Sequence, residues 1–483
     1  MQYAVIQRIL GLLLALFSIT LLPPLLIALW TGDGAEFPFS MALLITVILG
    51  LALWLPVRKV KKELRLRDGF VVVVLFWAGL GLTGAIPLIL SDNPHMSFTD
   101  AAFESLSALT TTGATVITGI DSLPLSILFY RQELQWLGGM GIIVLAVAIL
   151  PLLGIGGMQL YRAETPGPIK DSKLTPRITE TAKALWYIYL SLTVSCALLY
   201  WLAGMTFFDA VAHSFSTVSI GGFSTHDLSI GYFDNKIIDT IAVAFMILSG
   251  INFTLHFLVW RNMNLKPYFH DTELKVYISV LVMISIICCA YLIFQNTYED
   301  PVTAITHGIF QTISIATTTG FTTTSYQSWP TFLPVLLLFA SFLGACAGST
   351  GGGLKVIRIV LLFKQGMREI KRLVHPNAII HIKLGDRPVE ESIINAVWGF
   401  FASYVAVFAI LLLLLMATGL DQVTAFSAIA ACMNNLGPGL GDVSAHYGDI
   451  SRTAKWILCF AMLLGRLEIF TLLVLLTPTF WRK

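Results

Sequence analysis

Apolar residues run through this chain in long blocks separated by polar connections. Blocks lie near 4–30, 38–57, 69–91, 127–153, 182–205, 236–260, 274–295, 331–363 (interrupted), 393–418 and 454–478. Each is long enough to span a bilayer, whose hydrocarbon core of about 30 Å takes about 20 apolar residues as a helix. Ten spans are therefore predicted. The first block is too long for the apolar core of a cleaved leader, and no small-residue cleavage site follows it, so it reads as a retained span.

Four shorter apolar segments sit between the long ones: "SFTDAAFESLSAL" (97–109), "FFDAVAHSFSTV" (207–218), "DPVTAITHGIFQTISIA" (300–316) and "LDQVTAFSAIAACM" (420–433). They are too short to cross and return, which predicts re-entrant half-helices. Each begins near an acidic residue, as helix N-termini do. Each runs into a polar stretch built on glycine: "TTTGAT" (110–115), "SIGGFS" (219–224), "TTTGFT" (317–322) and "NNLGPG" (434–439). Gly113, Gly222, Gly320 and Gly437 are 109, 98 and 117 residues apart. The chain thus reads as two leading helices, 1–67, followed by four copies of one unit: 68–160, 161–265, 266–375 and 376–483. The fold class is an all-α polytopic membrane protein. Its four pseudo-symmetric units of span, half-helix, glycine stretch and span surround a central pore.

Composition agrees with a membrane protein. The chain is 56% hydrophobic and 12% charged, with mean hydropathy +0.80; an ordinary soluble domain is about 25% charged. Charge then orients it. Residues 58–67, 161–183, 261–275 and 355–393, with Arg8 and the C-terminal "RK", carry 25 of the 30 lysines and arginines. The alternate connections hold acids such as Asp33, Asp92, Asp121, Asp227 and Asp300. By the positive-inside rule both termini are expected in the cytoplasm. The six cysteines lie in apolar segments without metal-type spacing and read as buried small hydrophobes. The basic residues form no single patch, so no nucleic-acid partner is expected.

Non-helical backbone at membrane depth persists only where protein buries it or it lines water. Four such stretches around one axis can replace the hydration shell of a cation with carbonyls and hydroxyls. Glycine allows the backbone angles needed. The half-helices end at these stretches, and their negative dipole ends favour a cation. No carboxylate lies in the stretches, which suits a large monovalent ion, K⁺, over Ca²⁺ or Mg²⁺.

Two further features stand out. "GACAGSTGGG" (344–353) interrupts the eighth block and is too poor in helix formers to hold a helix against lipid. It is read either as close packing through small residues or as a broken helix whose loop lies in the pore. It is no P-loop: the spacing, the residue after Lys355 and the missing strand all disagree. Arg466 and Glu468 lie inside the last block, where charge is costly without a partner or a water-filled path. Arg466 is either a barrier at the pore wall or, with Glu468, part of a structural ion pair. "GPGLG" (437–441) lacks the strand and helix of a dinucleotide loop. No nucleophile–base pair, HExxH or paired aspartates point to an enzyme, and no span carries the periodic arginines of a voltage sensor. A secondary transporter coupled to H⁺ or Na⁺ is the alternative; it would call for ionisable residues inside several spans, and the pair Arg466 and Glu468 is essentially all the sequence offers.

In its four glycine stretches and two leading helices the whole chain resembles the Trk/Ktr/HKT superfamily of K⁺ transport proteins, most closely its bacterial TrkH/TrkG branch. The resemblance implies that Gly113, Gly222, Gly320 and Gly437 are the filter glycines. It also implies that the carbonyls of Thr111, Thr112, Ile220, Gly221, Thr318, Thr319, Asn435 and Leu436 face K⁺. Repeats two and four depart from the threonine-rich form, which makes the filter asymmetric. Plant relatives with serine at the first filter glycine carry Na⁺, so Gly113 argues for K⁺. Segment 344–353, with Gly348, Gly351, Gly352 and Gly353, is implied to be a gating loop beneath the filter, near Arg466. The resemblance further implies K⁺ uptake across the bacterial inner membrane, a homodimer, no organic cofactor in this chain, and a TrkA-like nucleotide-binding cytoplasmic subunit. The basic stretch 364–387 would dock that subunit or lie against lipid.

Overall fold

The computed structural model describes residues 1–60, 64–141, 178–385 and 387–482. Six helices within these are long and apolar enough to span a membrane: Tyr3–Thr31, Glu36–Val57, Arg67–Leu90, Lys183–Leu202, Thr272–Phe294 and Glu391–Met416. Two expected single spans are instead sharply bent. Lys236–Ser249 turns into Phe253–Asn262 at 93°, and Arg452–Arg466 turns into Glu468–Leu476 at 118°. The eighth block is broken as predicted, into Phe332–Leu343 and Val356–Val374. The fourth begins as Leu125–Trp136 and widens into a π-turn at Leu137–Gly141; its continuation to 153 lies outside the described residues. So do the border between the first two units, Lys61 and Lys62, and the basic connection up to residue 177.

The second helix is therefore interrupted in units two, three and four, and in unit one it widens into a π-turn at the corresponding place. In the second unit Gly250 and Asn252 flank the break, and Asn252 caps the next half-helix by accepting from the Thr254 N–H at 2.8 Å. In the fourth unit Glu468 holds the left-handed backbone at φ +52°. The predicted uninterrupted spans failed here because hydropathy sums side chains and does not register a backbone turn.

All four half-helices are present: Phe98–Leu109, Phe207–Ser219, Pro301–Ala316 and Gln422–Met433. They start in two ways. Ser97 and Thr206 cap the first two through their hydroxyls, which also hydrogen-bond Asp100 and Asp209 three residues on. In the last two the acids themselves, Asp300 and Asp421, accept from two backbone N–H groups each. Either arrangement satisfies amides that a helix start leaves orphaned and puts negative charge at the positive dipole end.

The apolar core falls into two large clusters, one joining the leading helices with units one and four, the other built mainly from units two and three, with a small third one at Leu361, Ile382, Ile394 and Val397. The half-helices are enclosed between them, with Phe103, Ala212, Phe310 and Ala428 fully buried. The spans turn apolar faces outward, as at Leu413 and Ile410, the reverse of a soluble protein and what lipid requires.

Candidate functional site

Each half-helix ends in the same backbone fold. The N–H groups of Thr112, Gly221, Thr319 and Leu436 donate to the carbonyls of Ser107, Ser216, Ser314 and Ala431, all at 2.8 Å. The residue before each, Thr111, Ile220, Thr318 or Asn435, donates three residues back and has φ of +54°, +56°, +70° or +53°. This is a Schellman closure, which ordinarily uses glycine at its left-handed position. Here three of the four residues are β-branched, a conformation that costs about 1–3 kcal/mol and survives only when its surroundings dictate it.

Those surroundings are the neighbouring units. A Cβ on Gly113 would stand 2.2 Å from the carbonyl oxygen of Gly221; on Gly222, 2.0 Å from that of Thr319; on Gly320, 2.2 Å from that of Leu436; on Gly437, 2.6 Å from that of Thr112. Each glycine thus abuts the next unit, and the fourth returns to the first. The four stretches form a closed ring. Glycine is required there for its left-handed φ of +78° to +97° and also because a neighbouring carbonyl occupies the space of a side chain. All four glycines line one cavity of about 360 Å³.

The ring is rich in buried carbonyls without donors. Among the described residues, the carbonyl oxygens of Thr111, Thr112, Ile220, Thr318, Thr319, Asn435 and Leu436 accept no hydrogen bond, although each of these residues is at most 1% exposed. Gly221 differs: its carbonyl accepts from Gln135 Nε2 at 2.6 Å, and Gln135 Oε1 accepts from the Phe223 N–H.

The hydroxyls do something else than the sequence suggests. Thr110 pairs with Thr112 and Thr317 with Thr319, each at 2.8 Å, while Thr110 and Thr317 also donate back into their own half-helices. Thr111 Oγ1 accepts from Arg466, and Thr318 Oγ1 from the Gly352 N–H. Every hydroxyl of the two Thr triplets is engaged with protein, so the threonine side chains brace the ring.

Side chains absent from the sequence reading fasten the half-helices to the chain leaving the ring. Glu104, His213 and Gln311 hold the same place, nine residues ahead of their glycines. Glu104 accepts from Thr115 Oγ1, the Val116 N–H and Arg131 Nε; His213 meets Ser224 at 2.9 Å; Gln311 donates to the Thr324 carbonyl at 2.7 Å. Glu104 and Arg131 form a fully buried ion pair at 2.8 Å. A glutamate inside a predicted re-entrant helix was the signal available for it.

Residues 344–355 lie directly under the ring. The Gly353 N–H donates to the Asn434 carbonyl, and Thr350 Oγ1 to those of Val218 and Ser249. A Cβ on Gly352 would be 1.9 Å from the Asn434 oxygen, and one on Gly351 2.6 Å from Ala345. Gly348 is left-handed, at φ +73°. Arg466 completes the layer, donating to Thr111 Oγ1 and to the carbonyls of Thr350, Gly138 and Gly139. It therefore joins the π-turn of unit one to the breaks of units three and four. Glu468 turns elsewhere and pairs with Arg358 at 2.7 Å.

A ring of four related stretches on four half-helices matches known proteins. The TrkH profile of cation transport proteins matches residues 36–483. The chain belongs to the TrkH family. It is similar to the Trk system potassium uptake protein TrkH of Vibrio parahaemolyticus, 60% identical over the full length of both chains. It is 57% identical to TrkH and 42% to TrkG of Escherichia coli K12, over all and 99% of both chains respectively. The crystal structure of the potassium transporter TrkH from V. parahaemolyticus superposes with a TM-score of 0.91 over 100% of both chains. Among TrkH-family features expected here, the ring, the broken third-unit helix and the mid-span arginine all come together at one place in this fold.

Proposed function

We propose that this chain takes up potassium ions through the ring of Gly113, Gly222, Gly320 and Gly437. The supporting observation is the set of buried ring carbonyls without hydrogen-bond donors. A buried carbonyl without a partner is costly, and a weakly hydrated monovalent cation supplies several at once. The carbonyls of Thr111, Thr112, Ile220, Gly221, Thr318, Thr319, Asn435 and Leu436 coordinate the ion, with Gly221 weakened as a ligand by Gln135. Segment 344–353 and Arg466 close the path beneath the ring, the first by bulk and the second by charge. The chain carries no catalytic residues and no organic cofactor. It works as a homodimer in the bacterial inner membrane with both termini cytoplasmic, and a TrkA-like nucleotide-binding subunit moves the gate through the basic stretch 364–387. The units run 68–160, 161–265, 266–375 and 376–483, after two leading helices.

One observation favours the second reading, transport coupled to H⁺. Glu133 is 6% exposed on the helix Leu125–Trp136, and its Oε2 has no hydrogen-bond partner. A buried carboxyl of this kind can carry a proton. Flux in proteoliposomes decides both points. K⁺ and Rb⁺ are expected to pass in preference to Na⁺ and Li⁺; equal rates for all four contradict the filter. Proton movement in step with K⁺, abolished by Glu133→Gln, establishes coupling.

A further inference from the structure

The segment under the ring is fastened by one carboxylate that the family features above do not include. Residues 344–355 leave the helix Phe332–Leu343 and return as the helix Val356–Val374. On the way out, the Ala347 N–H donates to Glu273 Oε1 at 2.7 Å. On the way back, the Ile357 N–H donates to the same oxygen at 3.1 Å. Two points on either side of Gly348, Thr350 and the Gly351–Gly353 run are thus drawn onto a single atom.

Glu273 is well placed to hold it. It is 8% exposed and stands in the first turn of Thr272–Phe294, whose start is fixed by Asp271 accepting from the Leu274 N–H at 2.7 Å. The Ile357 amide belongs to the orphaned first turn of its own helix, where the dipole favours negative charge. The segment's other contacts beyond itself run to the ring, to Arg466 and to the bend of the second unit, where the Cys346 N–H donates to the Gly250 carbonyl at 2.9 Å and the Phe253 N–H to that of Gly348 at 3.0 Å; Glu273 alone reaches it from an unbroken span among the described residues.

We propose that Glu273 is the latch of this segment: a positioning residue that holds residues 344–355 beneath the ring by bridging both of its ends, and that must release both N–H groups before the segment can leave. This rests on the reading of 344–353 as the gate.

The two bonds to Oε1 need an acceptor at the right reach more than they need charge. Glu273→Gln keeps the acceptor and the length. Glu273→Asp keeps the charge but is one methylene too short to reach both amides. The chain supplies its own reporter in Cys346, 1% exposed within the segment. The experiment uses the full chain in proteoliposomes without a partner subunit. It measures K⁺ flux and, by mass spectrometry, the rate at which a methanethiosulfonate reagent modifies Cys346, with Cys346→Ser as the blank. For Glu273→Asp and Glu273→Ala both rates are expected to rise roughly tenfold, the change that losing hydrogen bonding worth about 1.4 kcal/mol brings. Glu273→Gln is expected to behave as the wild type. If Glu273→Ala does not fold, the aspartate and glutamine variants carry the comparison alone. Unchanged flux and Cys346 reactivity in Glu273→Asp, beside raised flux on deleting Gly348–Gly352, overturn the latch and leave the gate reading standing. If the deletion leaves flux unchanged, the gate reading falls. Cys346 then decides alone: faster modification in Glu273→Asp supports the fastening, and an unchanged rate overturns it.

Discussion

The carbonyl oxygen of Thr112 lies 2.6 Å from where a Cβ on Gly437 would be, so the last unit of the chain closes onto the first. Three equivalent seams join the other units. At each the obstacle is main chain, which no rotamer change can move aside. Gly113→Ser is expected to lower preference for K⁺ over Na⁺ and to destabilise the protein by on the order of 1–3 kcal/mol, from left-handed strain and the seam together. Gly222→Ala, with the tightest seam, should do at least as much. Competition between K⁺ and Na⁺ in flux, with melting temperature in detergent, measures both effects. A folded Gly113→Ser protein with wild-type selectivity speaks against the ring as the filter.

Among the described residues Arg466 reaches four acceptors on three chain segments, which a shorter or single-ended cation cannot match. Arg466→Ala is expected to raise K⁺ flux on the order of tenfold, the factor that about 1.4 kcal/mol of relieved repulsion provides. Arg466→Lys keeps the charge and should fall between. The measurement is the current–voltage relation in planar bilayers. Loss of folded protein with no change in flux would assign Arg466 to structure alone.

Arg358 and Glu468 connect the helix after the gating segment to the bend of the fourth unit, and the Arg358 guanidinium also lies 4.0 Å from the Phe400 ring centroid. Arg358→Met and Glu468→Gln are each expected to cost roughly 1–3 kcal/mol, because each breaks an ion pair whose arginine is 7% exposed. The double variant should recover part of that loss. A double-mutant cycle on thermal unfolding reads the coupling; additive losses would show that the two groups act independently.

At the mouth of the cavity His226 stacks on Tyr232, lies 2.6 Å from Asp121 and stands 3.5 Å from Asp209. Burial opposes its charge, but the two carboxylates outweigh burial and raise its pKa above 6.5. With the folded-state value raised, the pairing stabilises fully below about pH 6.5 and is lost as pH climbs through the folded value. Melting temperature is therefore expected to decline over that rise, and His226→Gln to remove that part of the decline. An identical slope in the variant refutes the assignment.

Much of this was legible in the chain because it is local. A short apolar segment, a cap near an acid and a glycine after the helix occupy a few consecutive residues, and their repetition at Gly113, Gly222, Gly320 and Gly437 turned a weak pattern into an architecture. What stayed hidden depends on partners far along the chain. The seam between Gly222 and Thr319 is invisible without the fold. So is the diversion of the Thr111 and Thr318 hydroxyls to Arg466 and Gly352, which the sequence reading assigned to the ion. The bend at Gly250–Asn252 had a trace, since asparagine before Phe253 is a helix-start signal. The bend at Leu467 had none beyond the charges beside it. The roles of Arg466 and Glu468 separated only when Arg358 was found opposite Glu468.

The closed ring has a consequence for how such a filter can change. An aperture built from identical subunits repeats every substitution on all sides at once. Here the four walls are encoded separately, so one altered codon remodels a single quadrant and leaves three untouched. Gln135 already marks one quadrant in this way, by holding the Gly221 carbonyl that its counterparts leave open. If the ring selects the ion, its preference can therefore change one quarter at a time.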